Sequence, residues 1–137
     1  MHASPFCVCA ALSSPQLLTE DAFLLEALLL ALAALLRGAA AYPCALPIAR
    51  ALLEFAWLLR THEESAVRRG ALVALCAVGH ALPPAVLVVE CEDALSELQE
   101  WLRSRAMEDP EEGCRHLAAA CHTIYGDKVR AWQSIGQ

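Results

Sequence analysis

Proline and acidic punctuation recurs along the middle of the chain, each time just ahead of an apolar helical pattern. Glu63-Glu64-Ser65-Ala66-Val67-Arg68 opens one such run, and Pro110-Glu111-Glu112-Gly113-Cys114-Arg115 opens another about 47 residues later. A tryptophan precedes each opening, in Trp57-Leu58-Leu59-Arg60 and in Trp101-Leu102-Arg103. Repetition at roughly 40–47 residues is what stacked helix pairs produce, because a single pair cannot bury its apolar face without a neighbour. Arrays of that kind hold other proteins more often than they do chemistry.

The coarse pattern gives five helical segments after an irregular lead over residues 1–16, where Ser4-Pro5 and Ser13-Ser14-Pro15 are breakers. Thr19-Glu20-Asp21 offers a cap and first-turn acids to a first helix that runs to about Arg37 and ends at Gly38. Pro43 and Pro47 fit the start of a second, with Ala49, Leu52, Leu53, Ala56 and Trp57 on one stripe and Leu59 at its edge. A third, from Glu64 to Leu82, turns Val67, Ala71, Ala74, Leu75 and Val78 inward and is stopped by Pro83-Pro84. A fourth spans about Glu90 to Met107, with Cys91, Ala94, Leu95, Leu98, Trp101 and Leu102 inward. The Asp109-Pro110 turn starts the fifth, whose apolar face is Cys114, Leu117, Ala118 and Cys121. The fold class is all-α: an α-solenoid of HEAT/armadillo-like antiparallel helix pairs over residues 17–125, followed by a divergent tail over 126–137. Trp57 and Trp101 are expected to be mostly buried and Trp132 more exposed.

Apolar residues make up 58% of the 137 positions and the mean hydropathy is +0.44. That exceeds the usual share of about 45–50% and implies that further repeats or a partner chain cover part of the surface. The uninterrupted apolar run, Ala27 to Leu36, falls short of the roughly 20 residues a membrane span needs, so a core helix is expected there. No Lys or Arg precedes Arg37, which fits a signal peptide poorly. Seven cysteines, an odd number without a regular framework, fit a reducing compartment. Cys7-Val8-Cys9 is the close pair, and Cys114, His116, Cys121 and His122 lack zinc spacing, so no metal site is expected and the cysteines read as small core residues.

Between Glu90 and Glu112 nine acidic residues accompany only Arg103 and Arg105, whereas Arg60, Arg68 and Arg69 gather at the second-to-third helix turn. A net charge of −6 and a pI near 5.3 argue against direct nucleic-acid binding. No Gly-rich phosphate loop, Gly-x-Ser-x-Gly elbow or His-Glu-x-x-His helix is present, so neither catalytic residues nor a cofactor are expected. Arg60, Arg68 and Arg69 are the candidate protein-binding residues. For Arg68 an internal bridge to a carboxylate of the next repeat stands equally open, and for Arg115, beside Glu111 and Glu112, the internal bridge is favoured.

Ala51-Leu52-Leu53-Glu54-Phe55-Ala56-Trp57-Leu58-Leu59-Arg60-Thr61-His62, Val67-Arg68-Arg69-Gly70, Trp101-Leu102 and Glu108-Asp109-Pro110-Glu111-Glu112-Gly113-Cys114-Arg115 follow one another in an order that resembles the C-terminal region of the telomere length regulation protein family. The likeness is strongest over 47–121, weaker from Leu17 to Ala45, absent from the first dozen residues, and departs at His122-Thr123-Ile124-Tyr125-Gly126-Asp127-Lys128. Members of that family are several times longer, so the chain resembles a fragment. The resemblance implies a non-enzymatic scaffold in a complex with two Tti-type subunits. With the Hsp90 chaperone and its adaptor, that complex stabilises phosphatidylinositol-3-kinase-related kinases, including mTOR, ATM and ATR. It implies a place in telomere maintenance, DNA-damage checkpoints and TOR signalling, in cytoplasm and nucleus and at telomeres. The family's acidic linker that recruits the chaperone adaptor has no counterpart here. The alternative is an unrelated small α-helical interaction module.

Overall fold

A computed structural model of the chain describes residues 21–92 and 94–135. The expected irregular lead over 1–16, with Cys7 and Cys9, lies outside those residues. Six helices follow one another: α1 Ala22–Ala39, α2 Ala45–Leu59, α3 Ser65–Ala81, α4 Pro84–Cys91, α5 Leu95–Glu108 and α6 Glu112–Ile135. The described residues contain no strand.

α3 is the centre of the packing. It lies against α1, α2 and α6, while α5 and α4 both pack on α6. Its sequence explains that position, because Gly70, Ala71, Ala74, Ala77 and Gly79 are small and buried, leaving little side chain to hold neighbours away. A Cβ at Gly70 would stand 3.2 Å from Leu29 Cδ1 and 3.6 Å from the Glu26 Cα of α1. At Gly79 it would stand 2.9 Å from both Ile124 Cγ2 and Tyr125 Cε2 of α6. Two glycines at opposite ends of one helix thus set two close helix crossings. Larger residues fill the layers on either side: Leu25, Leu29 and Leu36 from α1, Leu52, Phe55 and Leu59 from α2, and Leu98 and Leu102 from α5 are all buried. Each such side chain contributes about 1.5–3 kcal/mol by leaving water.

Several boundaries differ from the sequence expectation. Asp21 is the N-cap of α1, its Oδ1 accepting from the Leu24 N–H at 2.9 Å, and the helix passes through Gly38 to Ala39. No glycine among the described residues has positive φ, so Gly38 does not form the left-handed stop expected of a terminal glycine. Pro83-Pro84 ends α3 as expected but also begins α4: Pro83 is the extended N-cap and Pro84 occupies the first turn, where its missing N–H costs nothing. The expected fourth helix is therefore two, with Cys91 buried at the end of α4 and Ala94 exposed at the junction rather than inward.

The larger correction is at the C-terminal end. The expected break at His122–Lys128 is absent, and α6 runs unbroken for 24 residues. Cys114, Ala118, Cys121 and Tyr125 form one buried stripe that continues the helical period. Tyr125 is wholly buried and its hydroxyl donates to the Leu75 carbonyl at 2.9 Å. Burial pushes its phenol well above the usual value, so it is a neutral donor. One turn on, Lys128 Nζ donates to the Leu82 carbonyl at 2.7 Å, capping the C-terminal end of α3.

α1 is the one described helix long and apolar enough to cross a membrane by length and composition. In the fold, Leu25, Leu29, Ala33, Leu36 and Ala39 face inward, while Phe23, Leu24, Leu30 and Leu35 are exposed. Trp57 and Trp101 are half-buried rather than mostly buried, for a reason that belongs to the site below. Trp132 is exposed, as expected.

Two glycines of opposite surroundings test the close crossing of α3 and α6. Gly79→Ala inserts a methyl group against Ile124 and Tyr125 and should destabilise the fold by about 1–3 kcal/mol in urea unfolding, despite alanine's better helix propensity. Gly38→Ala meets nothing within 4 Å and should stabilise by about 0.5–1 kcal/mol. Equal effects at the two positions would mean that α3 and α6 stand farther apart.

Candidate functional site

Two chain reversals, α2 to α3 and α5 to α6, lie side by side, and Arg68 joins them. Its Nε donates to Asp109 Oδ2 at 3.0 Å and its Nη2 to Oδ1 at 3.1 Å, a fork-to-fork pair between the first turn of α3 and the start of the α5–α6 turn. Its Nη1 donates to the carbonyls of His62 and Glu63, at 3.0 and 2.8 Å, in the turn from which α3 emerges. The pair is shielded, with side-chain exposures of 12% for Arg68 and 1% for Asp109, so solvent screens it far less than a surface pair. Of the two roles open to Arg68, the geometry supplies an internal bridge, to the carboxylate of Asp109.

Asp109 is held from several sides. Burial pushes its carboxyl up, but the Arg68 fork, the Glu111 N–H at 3.0 Å and the nearby charges of Arg68 and Arg105 outweigh it and hold the group below the ordinary value. Glu111 then caps α6, its two oxygens accepting from the Gly113 and Cys114 N–H groups at 2.9 and 3.1 Å. Arg115 completes the turn differently from expectation: Nη1 donates to the Asp109 carbonyl at 2.8 Å, so its recorded partner is backbone rather than a carboxylate.

Arg69 points elsewhere. Its guanidinium stands 3.4 Å from Glu26 of α1 and 3.6 Å from Glu111, linking α1, α3 and α6 at a part-exposed edge. Arg60 and Arg68 meet at one cleft, and Arg69 is not among the residues that line it. The three arginines are therefore not one basic patch.

Arg60 sits in an aromatic setting that accounts for the half-burial of the tryptophans. Trp57 and Trp101 meet edge to face with centroids 5.9 Å apart, joining α2 to α5. The Arg60 guanidinium lies 3.5 Å above the Trp57 ring and 5.9 Å from the Trp101 centroid, and its Nη1 donates to the Trp57 carbonyl at the end of α2. Covering the indoles with a charged group instead of hydrocarbon leaves both rings at the surface layer. Burial lowers the Arg60 pKa, partly offset by the charge of Glu97. Sequence reasoning passed over this stack, although Trp57 and Arg60 are three residues apart and so share a helix face. It also passed over Arg105, which comes one turn after Trp101 and lines the same cleft.

Of the described cysteines, Cys91, Cys114 and Cys121 are buried, which disfavours their thiolates. Cys114 is wholly buried against the Ser65 carbonyl, and burial with the neighbouring Glu111 pushes its thiol up to about 12. Cys121 lies within hydrogen-bonding reach of Cys76, which with burial raises its thiol well above the ordinary range. Among the described residues no group of three His, Cys, Asp or Glu side chains could hold a metal ion.

Acid titration tests the clamp. Because Asp109 binds its proton less tightly folded than unfolded, its contribution is complete above the usual 3.8 and is lost as pH falls below that value towards the lower folded one. Asp109→Asn should cost about 3–5 kcal/mol near neutral pH by leaving Arg68 without its counter-ion. It should also flatten the fall in stability below pH 4 relative to the wild type. An unchanged acid slope would show that other carboxylates set it.

No family model matches the chain, and no solved structure matches it significantly. Curated proteins do. The chain is similar to the human telomere length regulation protein TEL2 homolog, at 42% identity over 102 residues. Its mouse counterpart is 40% identical and that of Xenopus laevis 35% identical over the same length. In each case the match takes in 74% of this chain and 12% of the relative. The chain thus carries a segment of the telomere length regulation protein family, spanning about an eighth of the length of its curated relatives.

Proposed function

We propose that this chain is a non-enzymatic scaffold segment that works in telomere length regulation. The observation that carries the reading is the 42% identity over 102 residues to a protein named for that role. The packing order supports it. α1, α3 and α6 lie side by side with α3 in the middle, while α2 and α5 form a second row joined through Trp57 and Trp101. Such an order would suit a HEAT-like array, in which successive pairs stack and the surface is long rather than closed. The exposed Phe23, Leu24, Leu30 and Leu35 of α1 would be the uncovered side of such a stack.

In this reading the segment belongs to the chaperone-associated complex with Tti-type subunits that stabilises phosphatidylinositol-3-kinase-related kinases, mTOR, ATM and ATR among them. Its role in checkpoint and TOR signalling, in cytoplasm and nucleus, follows from those kinases. Binding energy would come from a few anchored residues on the helical surface rather than from its whole area. Affinity purification of the tagged chain, followed by mass spectrometry, is expected to recover a Tti-type subunit or one of those kinases. A folded chain that recovers neither from cells expressing both would defeat the assignment to that complex.

A further inference from the structure

The cleft between the two reversals, about 250 Å³, is lined by Arg60, Thr61, His62, Glu63, Arg68 and Arg105, with Pro110 at one side. Its charges are not equally engaged. Arg68 is neutralised by Asp109. Arg60 forms no ion pair among the described residues, the counter-charge that bears on it being that of exposed Glu97, and its Nε is buried without a hydrogen-bond partner. The guanidinium is held flat by two indoles and a backbone carbonyl, so it has little side-chain entropy left to lose on meeting an anion. Arg105 enters from the opposite helix, and its recorded ion pair is a 3.4 Å contact with Glu108, whose side chain is 67% exposed. Such a pair exchanges readily. Glu63 is the one carboxylate among the lining residues, and it is exposed and able to turn to solvent. A chain with net charge −6 therefore brings to one small concavity two guanidinium groups that, unlike Arg68, have no buried carboxylate paired to them.

The volume lies below the roughly 300–1,000 Å³ of small-molecule sites and suits a single side-chain head group. We propose that this cleft receives an oxyanion carried by a partner protein, a carboxylate or phosphoryl side chain, gripped between Arg60 and Arg105. Guanidinium N–H groups donate to either kind of oxygen, and with Nη1 on the Trp57 carbonyl and Nε buried the contact from Arg60 falls to its remaining N–H groups. The inference rests on the scaffold reading and supplies the chemistry of one of its contacts.

The stacked Arg60 makes tryptophan emission a direct readout. The purified full chain is titrated with a tryptophan-free Glu-rich peptide, the same length of backbone bearing one phosphoserine, a Gln-substituted control and inorganic phosphate. A saturable change is expected with an acidic or phosphoserine peptide and not with the control, weakening as salt rises. Arg60→Gln and Arg105→Gln should each weaken it about tenfold or more, the range for losing one charge-assisted contact. If Arg60→Gln fails to fold, Arg105→Gln decides, since its part-exposed side chain contributes little to stability. Saturation by inorganic phosphate without saturation by either peptide overturns the partner-borne ligand. No saturable change, or wild-type affinity in Arg105→Gln, overturns the cleft itself. Capture of Tti-type subunits that persists without peptide binding leaves the scaffold function standing and the cleft refuted. Peptide binding without such capture refutes the complex and keeps the cleft.

Discussion

The structure depends on how closely α1 and α6 can approach α3. α3 is buried on most of its circumference, and this is possible because most of its buried positions are glycine, alanine and valine, with Leu72 and Leu75 the larger exceptions. A helix with leucines at Gly70 and Gly79 would hold its neighbours apart, and the large residues that now fill the flanking layers would leave voids around it. Leu29 sits against Gly70 and Tyr125 against Gly79 as complementary large-to-small contacts. Core density of this kind is sensitive to single methyl groups, because packed interiors have no slack to absorb them.

Polar interactions then fix the direction in which the helices run. Arg68 ties the carbonyls of one reversal to the carboxylate of the next, so two turns far apart in sequence become one unit. Its energy is not free, since both charges are removed from water. It is offset by satisfying nearly every donor and acceptor involved, and the gain is register more than raw stability. Tyr125 and Lys128 act similarly along the C-terminal half of α3, Tyr125 meeting the Leu75 carbonyl within the helix and Lys128 the Leu82 carbonyl at its end. The two ends of the central helix are thus specified by different chemistry: an ion pair at its start and a cationic donor on its last carbonyls at the finish.

The surfaces left over bear on function. The apolar outer face of α1 and the charged cleft beside Arg60 differ in kind, one non-directional and the other geometric. A scaffold needs both, since apolar area supplies affinity and a placed charge supplies discrimination. The acidic run of α5 and its following turn is partly consumed inside the fold: Asp109 pairs with Arg68, and Glu111 caps α6. It is not a free acidic face in full.

By itself the sequence determined the helical class, because alanine and leucine dominate and apolar residues recur at helical spacing. It determined the inward stripe of α3, and Val67, Ala71, Ala74, Leu75 and Val78 are all buried. The related motifs also pointed to the family that the matched relatives share. Only the tertiary structure decided the rest. Pro84 could end a helix or open one, and the choice rests on α4, with Leu87 buried, having α6 to pack against. Tyr125 looked like a break in a Leu-rich pattern until Gly79 made room for its ring and the Leu75 carbonyl accepted its hydrogen bond. Arg68 and Arg69 are adjacent in sequence yet lie on different sides of α3, one joined to Asp109 and the other to Glu26 and Glu111. Helical spacing gives each residue a direction, but which carboxylate waits in that direction depends on residues about 40 positions away.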